Sequence, residues 1–549
     1  MKLFKKVVPI ILAAMMAMPV MASCAKEEED YDFTIWCYQT DTSIRNYGES
    51  PAFKELEKRT GKKVKFILGS DQENLIATKS YPEVCLWLGY NEGYSRAISD
   101  GVVKDITQLV KNNAPNYKKY LASNEDYWLS ATTEDDNGNL QIGAFYVLCN
   151  QEEDPWRGYV MRKDFIEENK DKFSTYSDWE DLGEKDSSGN TLLTPVLYSH
   201  WTDIFSVAKK LYRDTNGAEG FKYPFSVNAG CYDVLDTLTA GFDLALANAW
   251  YEDETGALRF GFIEEGFKDY YSLIHEWYEA GYITPNFAES SNSLTSSTTE
   301  ILGTKKASPT AMCFPEIATY VDARIEKGQE NGIEDYELMG VPNPRQTKDQ
   351  TLHLYSFGGM TGMSAAITTK CSDEKAKEIV EWFDYLYTDE GIELMNYGVE
   401  GETYTKNADG TINFCDEIKN SPDKGLYEYA SYNFPTISDI TRNNMYKTQR
   451  ALDIINIWKY KIDYTWEFSS ATSFKASEGL EYSQIMTDAT IYISECLPKF
   501  VRGTIPTSDF ASYVQELKTK YNVDRAIEIR QAAHTAFAER VIPDDWKSE

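Results

Sequence analysis

The sequence predicts an α/β protein built as two or more lobes, and three observations carry that expectation. Apolar runs of strand length alternate with helical stretches over residues 32–88, the pattern of a parallel sheet covered on both faces. The chain has 549 residues, far more than one hydrophobic core supports. Beyond a short apolar stretch at residues 7–20, no segment approaches eighteen consecutive apolar residues, so the remainder is expected to fold in water.

The elements follow in order. Lys2, Lys5 and Lys6 precede the apolar stretch, and Met21-Ala22-Ser23-Cys24 closes it, the layout of an export signal ending in a lipobox. Cys24 is therefore expected to be lipidated and to become the new N-terminus, with residues 24–31 as a tether. Phe33-Thr34-Ile35-Trp36 reads as the first strand. Ser50 caps a helix that has Pro51 at its first position, Phe53 and Leu56 on one face, and Gly61 as its stop. Val64, Phe66 and Leu68 mark a second strand, residues 75–78 a short helix, and Val84-Cys85-Leu86-Trp87-Leu88 a strand buried on both faces.

Residues 155–345 read as helix-rich. Within them Asp253-Glu254-Thr255-Gly256 breaks a hairpin-like segment, residues 267–278 carry helical spacing, and residues 290–300 form a Ser/Thr-rich loop. Residues 352–395 return to a strand, a glycine-rich crossing and a helix. Residues 508–541 form two helices, one striped by Phe510, Tyr513, Val514 and Leu517, the next by Ile527, Ile529, Ala533 and Phe537.

Composition narrows the function. Removing residues 1–23 takes three lysines from a net charge of −32, leaving −35. Such a surface repels phosphate backbones, so no nucleic-acid partner is expected. Eight of the nine cysteines lie beyond Cys24, without a C-x-x-C pair and with only four histidines, which argues against a zinc site and for free thiols. Cys37, Cys85 and Cys149 in particular read as small buried hydrophobes. Aromatic residues make up 14% of the chain, with 38 tyrosines and 12 tryptophans. Most must fill cores, but this many also suits a wide cleft for sugars, whose C–H faces stack and whose hydroxyls hydrogen-bond.

Local motifs for chemistry are sparse. Asp135-Asp136-Asn137-Gly138-Asn139 reads as a hairpin turn, since Asn-Gly favours left-handed conformations and the closing bidentate Glu of a calcium hand is missing. Gly358-Gly359-Met360-Thr361-Gly362 lacks the ending of a phosphate loop. Neither G-x-S-x-G nor H-E-x-x-H occurs. No catalytic residue is assigned and no enzyme is expected, a surface glycoside hydrolase remaining the alternative because its carboxylates need no local pattern.

Six segments, in order, resemble one family. They are PAFKELEKRTGKKVKF (51–66), SYPEVCLW (80–87), YVMRKDFIEE (159–168), WYEAGYITPNF (277–287), NYGVEGETY (396–404) and KFVRGTIPTSDFASYVQELK (499–518). Together, behind a lipobox, they resemble the extracellular solute-binding lipoproteins of bacterial ABC importers, in the large oligosaccharide-binding branch of family 1. The resemblance implies a two-lobed type II periplasmic-binding-protein-like fold with a hinge and an interlobe ligand cleft. It implies a monomer, lipid-anchored at the outer face of the cytoplasmic membrane, that delivers an oligosaccharide to a permease and needs no cofactor. Peptides or charged oligouronides are the alternative ligands. Residues 32–150 with 352–400 would form the first lobe, residues 151–351 with 401–549 the second. Relatives of this kind often carry a calcium loop after the R-K-D helix. Here that stretch reads Asp186-Ser187-Ser188-Gly189-Asn190-Thr191-Leu192-Leu193-Thr194-Pro195, with one carboxylate, so no metal is expected there.

Ligands of parallel α/β sheets sit outside the carboxyl ends of strands. Trp36, Tyr38 and Gln39 follow the first strand, and Trp87, Tyr90 and Asn91 the third. Tyr146, Trp156 and Trp201 fall near the expected start of the second lobe. Arg162 and Asp164 sit at a helix start, where an aspartate also suits the helix dipole. These eleven are the candidate ligand-binding residues. Arg157 and Arg162 are the cations that a uronate would require nearby.

Overall fold

The computed structural model describes residues 30–547 except 39–46, 91–92, 150–153, 214–219, 248, 290–297, 304–307, 355–363, 420–425, 432, 467–471 and 473. Cys24, Gln39, Asn91 and the glycine-rich 358–362 segment lie outside the described residues. Two separate sheets, each with its own core, divide the chain. The first contains β1 (Phe33–Tyr38), β2 (Val64–Gly69), β3 (Val84–Leu86), β4 (Phe145–Tyr146) and β9 (Ser364–Ile367), in the order β2-β1-β3-β9-β4. β1 runs parallel to β2 and β3, and β9 is antiparallel to both its neighbours. The second holds β5 (Arg157–Arg162) between β6 (Cys313–Ile317) and β7 (Leu338–Val341), antiparallel to both.

Local chemistry accounts for the first lobe. Helix α1 (Pro51–Thr60) starts where the Ser50 side chain accepts from the Phe53 N–H and stops at Gly61, whose φ of +65° closes the helix. Ile35 and Cys37 point to one face of the sheet, against Phe53, Leu56 and the helix Asp373–Tyr385. Trp36 points to the other, with Tyr81, Cys85 and Ala366, as a period of two demands. The strand expected over residues 84–88 ends at Leu86, because Trp87 takes a left-handed φ of +60°.

In the second lobe, β5 buries all six of its residues. Tyr159 and Met161 meet α3 (Tyr198–Leu211), α4 (Glu265–Glu279) and α6 (Ala476–Val501). Val160 meets α5 (Gln449–Trp458) on the opposite face. Trp458 lies across the backbone of Gly158 and donates from Nε1 to the Tyr159 carbonyl at 2.9 Å; a Cβ on Gly158 would fall 2.5 Å from the indole. The expected terminal helices are α7 (Phe510–Thr519) and α8 (Val523–Ala538). Both hairpins also form, with turns at residues 135–139 and 253–256.

Three strand-like contacts tie the crossings between lobes. Leu148 N–H donates to the Thr436 carbonyl and Ser438 N–H to the Leu148 carbonyl, at 2.9 and 2.7 Å. Strand β8 (Leu352–His353) pairs in parallel with β10 (Ile462–Asp463). Two stretches that the sequence expectation placed in the second lobe add residues to the first core. Residues up to 434 remain with the first lobe, because Phe434 packs within 5.0 Å of Phe53 and Tyr429 accepts from Ala52 N–H. The chain also returns there at its end: Trp546 is buried in the first core, edge-on to Trp128 at 5.2 Å, and Arg540 donates to the Thr132 and Leu129 carbonyls. All eight cysteines past Cys24 are free thiols, and seven are buried. Among the described residues no helix is long and apolar enough to cross a membrane.

Trp546→Ala should lower the stability of the first lobe by about 3–5 kcal/mol, the usual cost of deleting a buried tryptophan. Denaturant unfolding would show it; an unchanged midpoint would mean that the C-terminal return does not support this core.

Candidate ligand-binding cleft

The parallel strands of the first lobe end in a group of half-buried rings. Tyr38 closes β1, Tyr146 closes β4, and Tyr90 and Tyr94 follow β3; all four pack against the buried cluster around Trp36. Tyr94 stands edge-on to Tyr146 at 6.0 Å, and its hydroxyl hydrogen-bonds Ser364 Oγ at 2.6 Å. Tyr90 donates to Asp100 at 2.7 Å. Trp87, also half-buried, donates from its indole to the Asn433 carbonyl at 3.3 Å. Its left-handed backbone is costly for a bulky residue, and such strain concentrates at functional positions.

Trp36 itself is buried: its ring covers Gly69, where a Cβ would approach Nε1 to 2.7 Å. It supports the ring group and does not present a free face. Across the crossing, Trp156 is half-buried and its carbonyl accepts from Ala318 N–H at 3.0 Å, which pins it beside the end of β6.

Three candidates belong to the fold. Trp201 is 0% exposed, in a ring cluster with Tyr159, Phe205 and Phe225. Arg162 is 1% exposed, forks onto Asp164, and lies 4.2 Å from the Tyr336 ring centroid. Both residues lie at the end of β5 opposite Arg157 and Trp156, so the helix-start position reflects packing. Arg157, 1% exposed, is ion-paired with the equally buried Asp233.

Sequence reasoning missed the strained loop that Asp233 belongs to. Between residues 226 and 250, Cys231, Asp236, Asp243 and Ala249 all have positive φ. Asp236 holds the loop: its Oδ1 accepts from Leu246 N–H at 2.6 Å, Ala247 N–H at 2.8 Å and Thr239 Oγ1 at 3.1 Å. Burial pushes its carboxyl up to about 7. Gln350, on the crossing segment, donates to the Gly241 carbonyl and to Asp243. Also missed was a three-ring stack at β8 and β10, with Trp466 parallel to His353 at 4.3 Å and to Tyr251 at 5.1 Å. Local periodicity carries no signal for such long-range partners.

No protein-family model and no curated protein matches the sequence. Solved structures do. An HMO-binding, ABC-transporter-associated solute-binding protein from Bifidobacterium longum infantis aligns with a TM-score of 0.67 at 11% identity, over 92% of this chain and 99% of that one. The chain carries the solute-binding-protein fold. An EF-hand mutant of the S. pneumoniae substrate-binding protein FusA, in complex with fructo-nystose, gives 0.67 at 14% identity, over 92% and 99%. The alginate-binding protein AlgQ2, described without calcium ion, gives 0.65 at 17%, over 92% and 97%. The solute-binding-protein fold expected from the sequence is thus the one found, and the ring group occupies the carboxyl ends of its parallel strands, where open α/β sheets take ligands.

The raised carboxyl of Asp236 makes a pH prediction. Its folded pKa of about 7 lies above the ordinary value of 3.8, so the folded state keeps a proton that the unfolded state releases. Stability should fall as pH rises from 3.8 to about 7 and then level off. In Asp236→Asn that part of the pH slope should vanish. Denaturant midpoints of both proteins across this window test it; parallel curves would place the proton elsewhere.

Proposed function

We propose that this chain is an extracellular, membrane-anchored receptor that binds an oligosaccharide between its lobes and delivers it to an ABC-transporter permease. The observation that carries the reading is the group of Tyr38, Tyr90, Tyr94 and Tyr146 at the strand ends, with Trp87 half-buried against the neighbouring core just past β3. Half-buried rings, with the hydroxyls of Tyr90 and Tyr94 fixed by Asp100 and Ser364, are suited to sugar faces above and sugar hydroxyls around them. Similar structures are described with fructo-nystose, as HMO-binding and as alginate-binding, which supports a glycan as ligand. Trp156 would meet it from the second lobe. Closure of the lobes would be a population shift driven by the ligand's extra affinity for the closed form. The lipid would be attached at Cys24, the protein acts as a monomer, and the energy of import comes from the transporter's ATPase.

One observation bears on ligand charge. Arg157, at the Trp156 end of β5, is buried and paired with Asp233, and Arg96, beside the ring group, is paired with Asp100. A neutral glycan therefore fits this cleft better than a charged oligouronide.

Thermal shift of the mature, unlipidated protein against neutral oligosaccharides, oligouronides and peptides tests the reading. A ligand at a hundred times its Kd adds about 2.7 kcal/mol of stability. The expected result is a raised Tm with one neutral glycan that is recovered intact; cleavage would make the protein a hydrolase, and a response to peptides alone would replace the ligand class. For that glycan, Trp87→Gly should weaken binding at least about tenfold, or 1.4 kcal/mol, while glycine accepts the left-handed backbone without strain. Unchanged affinity would remove Trp87 from the site.

A further inference from the structure

Two of the similar structures are described by reference to a calcium ion or an EF-hand, and this chain has a tight polar turn at residues 186–190. Asp186 N–H donates to the Asn190 carbonyl at 2.8 Å, Gly189 N–H returns to the Asp186 carbonyl at 2.9 Å, and Gly189 has a φ of +83°. Lys185 and Thr191 bridge across its base.

The oxygens of the loop do not fit a calcium ion. Asp186 Oδ1 accepts from the N–H groups of Ser188 and Asn190, at 3.0 and 2.8 Å. Asp186 Oδ2 faces the ammonium of Lys170 at 3.3 Å. The nearby Glu167 turns both carboxylate oxygens to the Ser187 N–H, each at 3.1 Å. Calcium demands six to eight oxygen ligands, several of them carboxylates. Here the two carboxylates are engaged with N–H donors and a lysine, and among the described residues no group of three or more metal-ligating side chains comes together.

We propose that Lys170 supplies, as a side chain, the positive charge that the Asp186 carboxylate needs, so that the loop keeps its shape without calcium. The charge arrives from the segment directly after α2 (Lys163–Asn169) and therefore ties the loop to that helix. The benefit reaches the interlobe crossing. The same excursion begins with Asp178 and Glu180, which hold the crossing residue Lys348 at 2.9 and 3.1 Å. It closes through the Glu180 to Thr194 bridge. The crossing segment is thus braced by covalently attached charges, and its bracing is independent of the free calcium concentration.

Hydrogen exchange of the peptide spanning residues 180–194, with melting temperature as a second readout, tests this directly. Wild-type protein should exchange at the same rate, and melt at the same temperature, in excess EDTA and in millimolar calcium. Lys170→Met should speed exchange in that peptide in EDTA. Calcium-dependent slowing or a saturable rise in wild-type Tm would overturn the proposal, as would a Lys170→Met protein whose loop exchanges at the wild-type rate. Neither readout needs a sugar, so the outcome is separate from that of the receptor reading.

Discussion

Everything in the second lobe is arranged around a strand with an arginine at each end and no exposure along its length. A guanidinium removed from water is tolerated only with a partner, because an unpaired buried charge costs several kcal/mol. Arg162 finds Asp164 two residues on, and a local turn satisfies it. Arg157 also reaches across the sequence, to the carboxylate of Asp233. That requirement draws the loop of residues 226–250 against the interlobe end of the sheet. Cys231, Asp236, Asp243 and Ala249 of this loop take positive φ.

The tryptophan economy of the molecule follows from the same separation of core and cleft. Trp201 and Trp458 fill opposite sides of the β5 sheet, and both indoles are needed there for volume. In the first lobe, Trp36 fills the thin space between the sheet and the helix Gly93–Ser99. The rings that keep an open edge are mostly tyrosines at strand ends. Tyrosine is the residue that packs one side of its ring while keeping a hydroxyl for a wet partner, so the distribution of tyrosine across the sheet marks where the sheet faces solvent.

Much of the first lobe was legible because its signals are local. Ser50, Pro51 and Gly61 bound α1 where helix chemistry says they should, and the alternation of Val64, Phe66 and Leu68 gave β2. The third strand was read two residues too long, since nothing in Val84-Cys85-Leu86-Trp87-Leu88 reports a left-handed tryptophan. The candidate site was less legible. Tyr38, Trp87, Tyr90, Tyr146 and Trp156 stand half-buried at the ends of strands or crossings, but Trp36, Trp201, Arg162 and Asp164 serve the fold. An aromatic near a strand end looks the same in sequence whether its ring turns inward or out. The place of Phe434 and Trp546 in the first core was illegible for a related reason: Phe53 and Trp128, which they meet, are hundreds of residues away.

The return of the C-terminus to the first lobe has a consequence for how the protein is made. A chain synthesised from its N-terminus presents β1, β2 and β3 long before residue 546 emerges. Until then, Trp128 lacks the ring it packs against, and the carbonyls of residues 129 and 132 lack the guanidinium of Arg540. The first lobe is therefore unfinished until residues 540 and 546 arrive. Loss of Arg540 and Trp546 therefore damages the part of the protein that is made first.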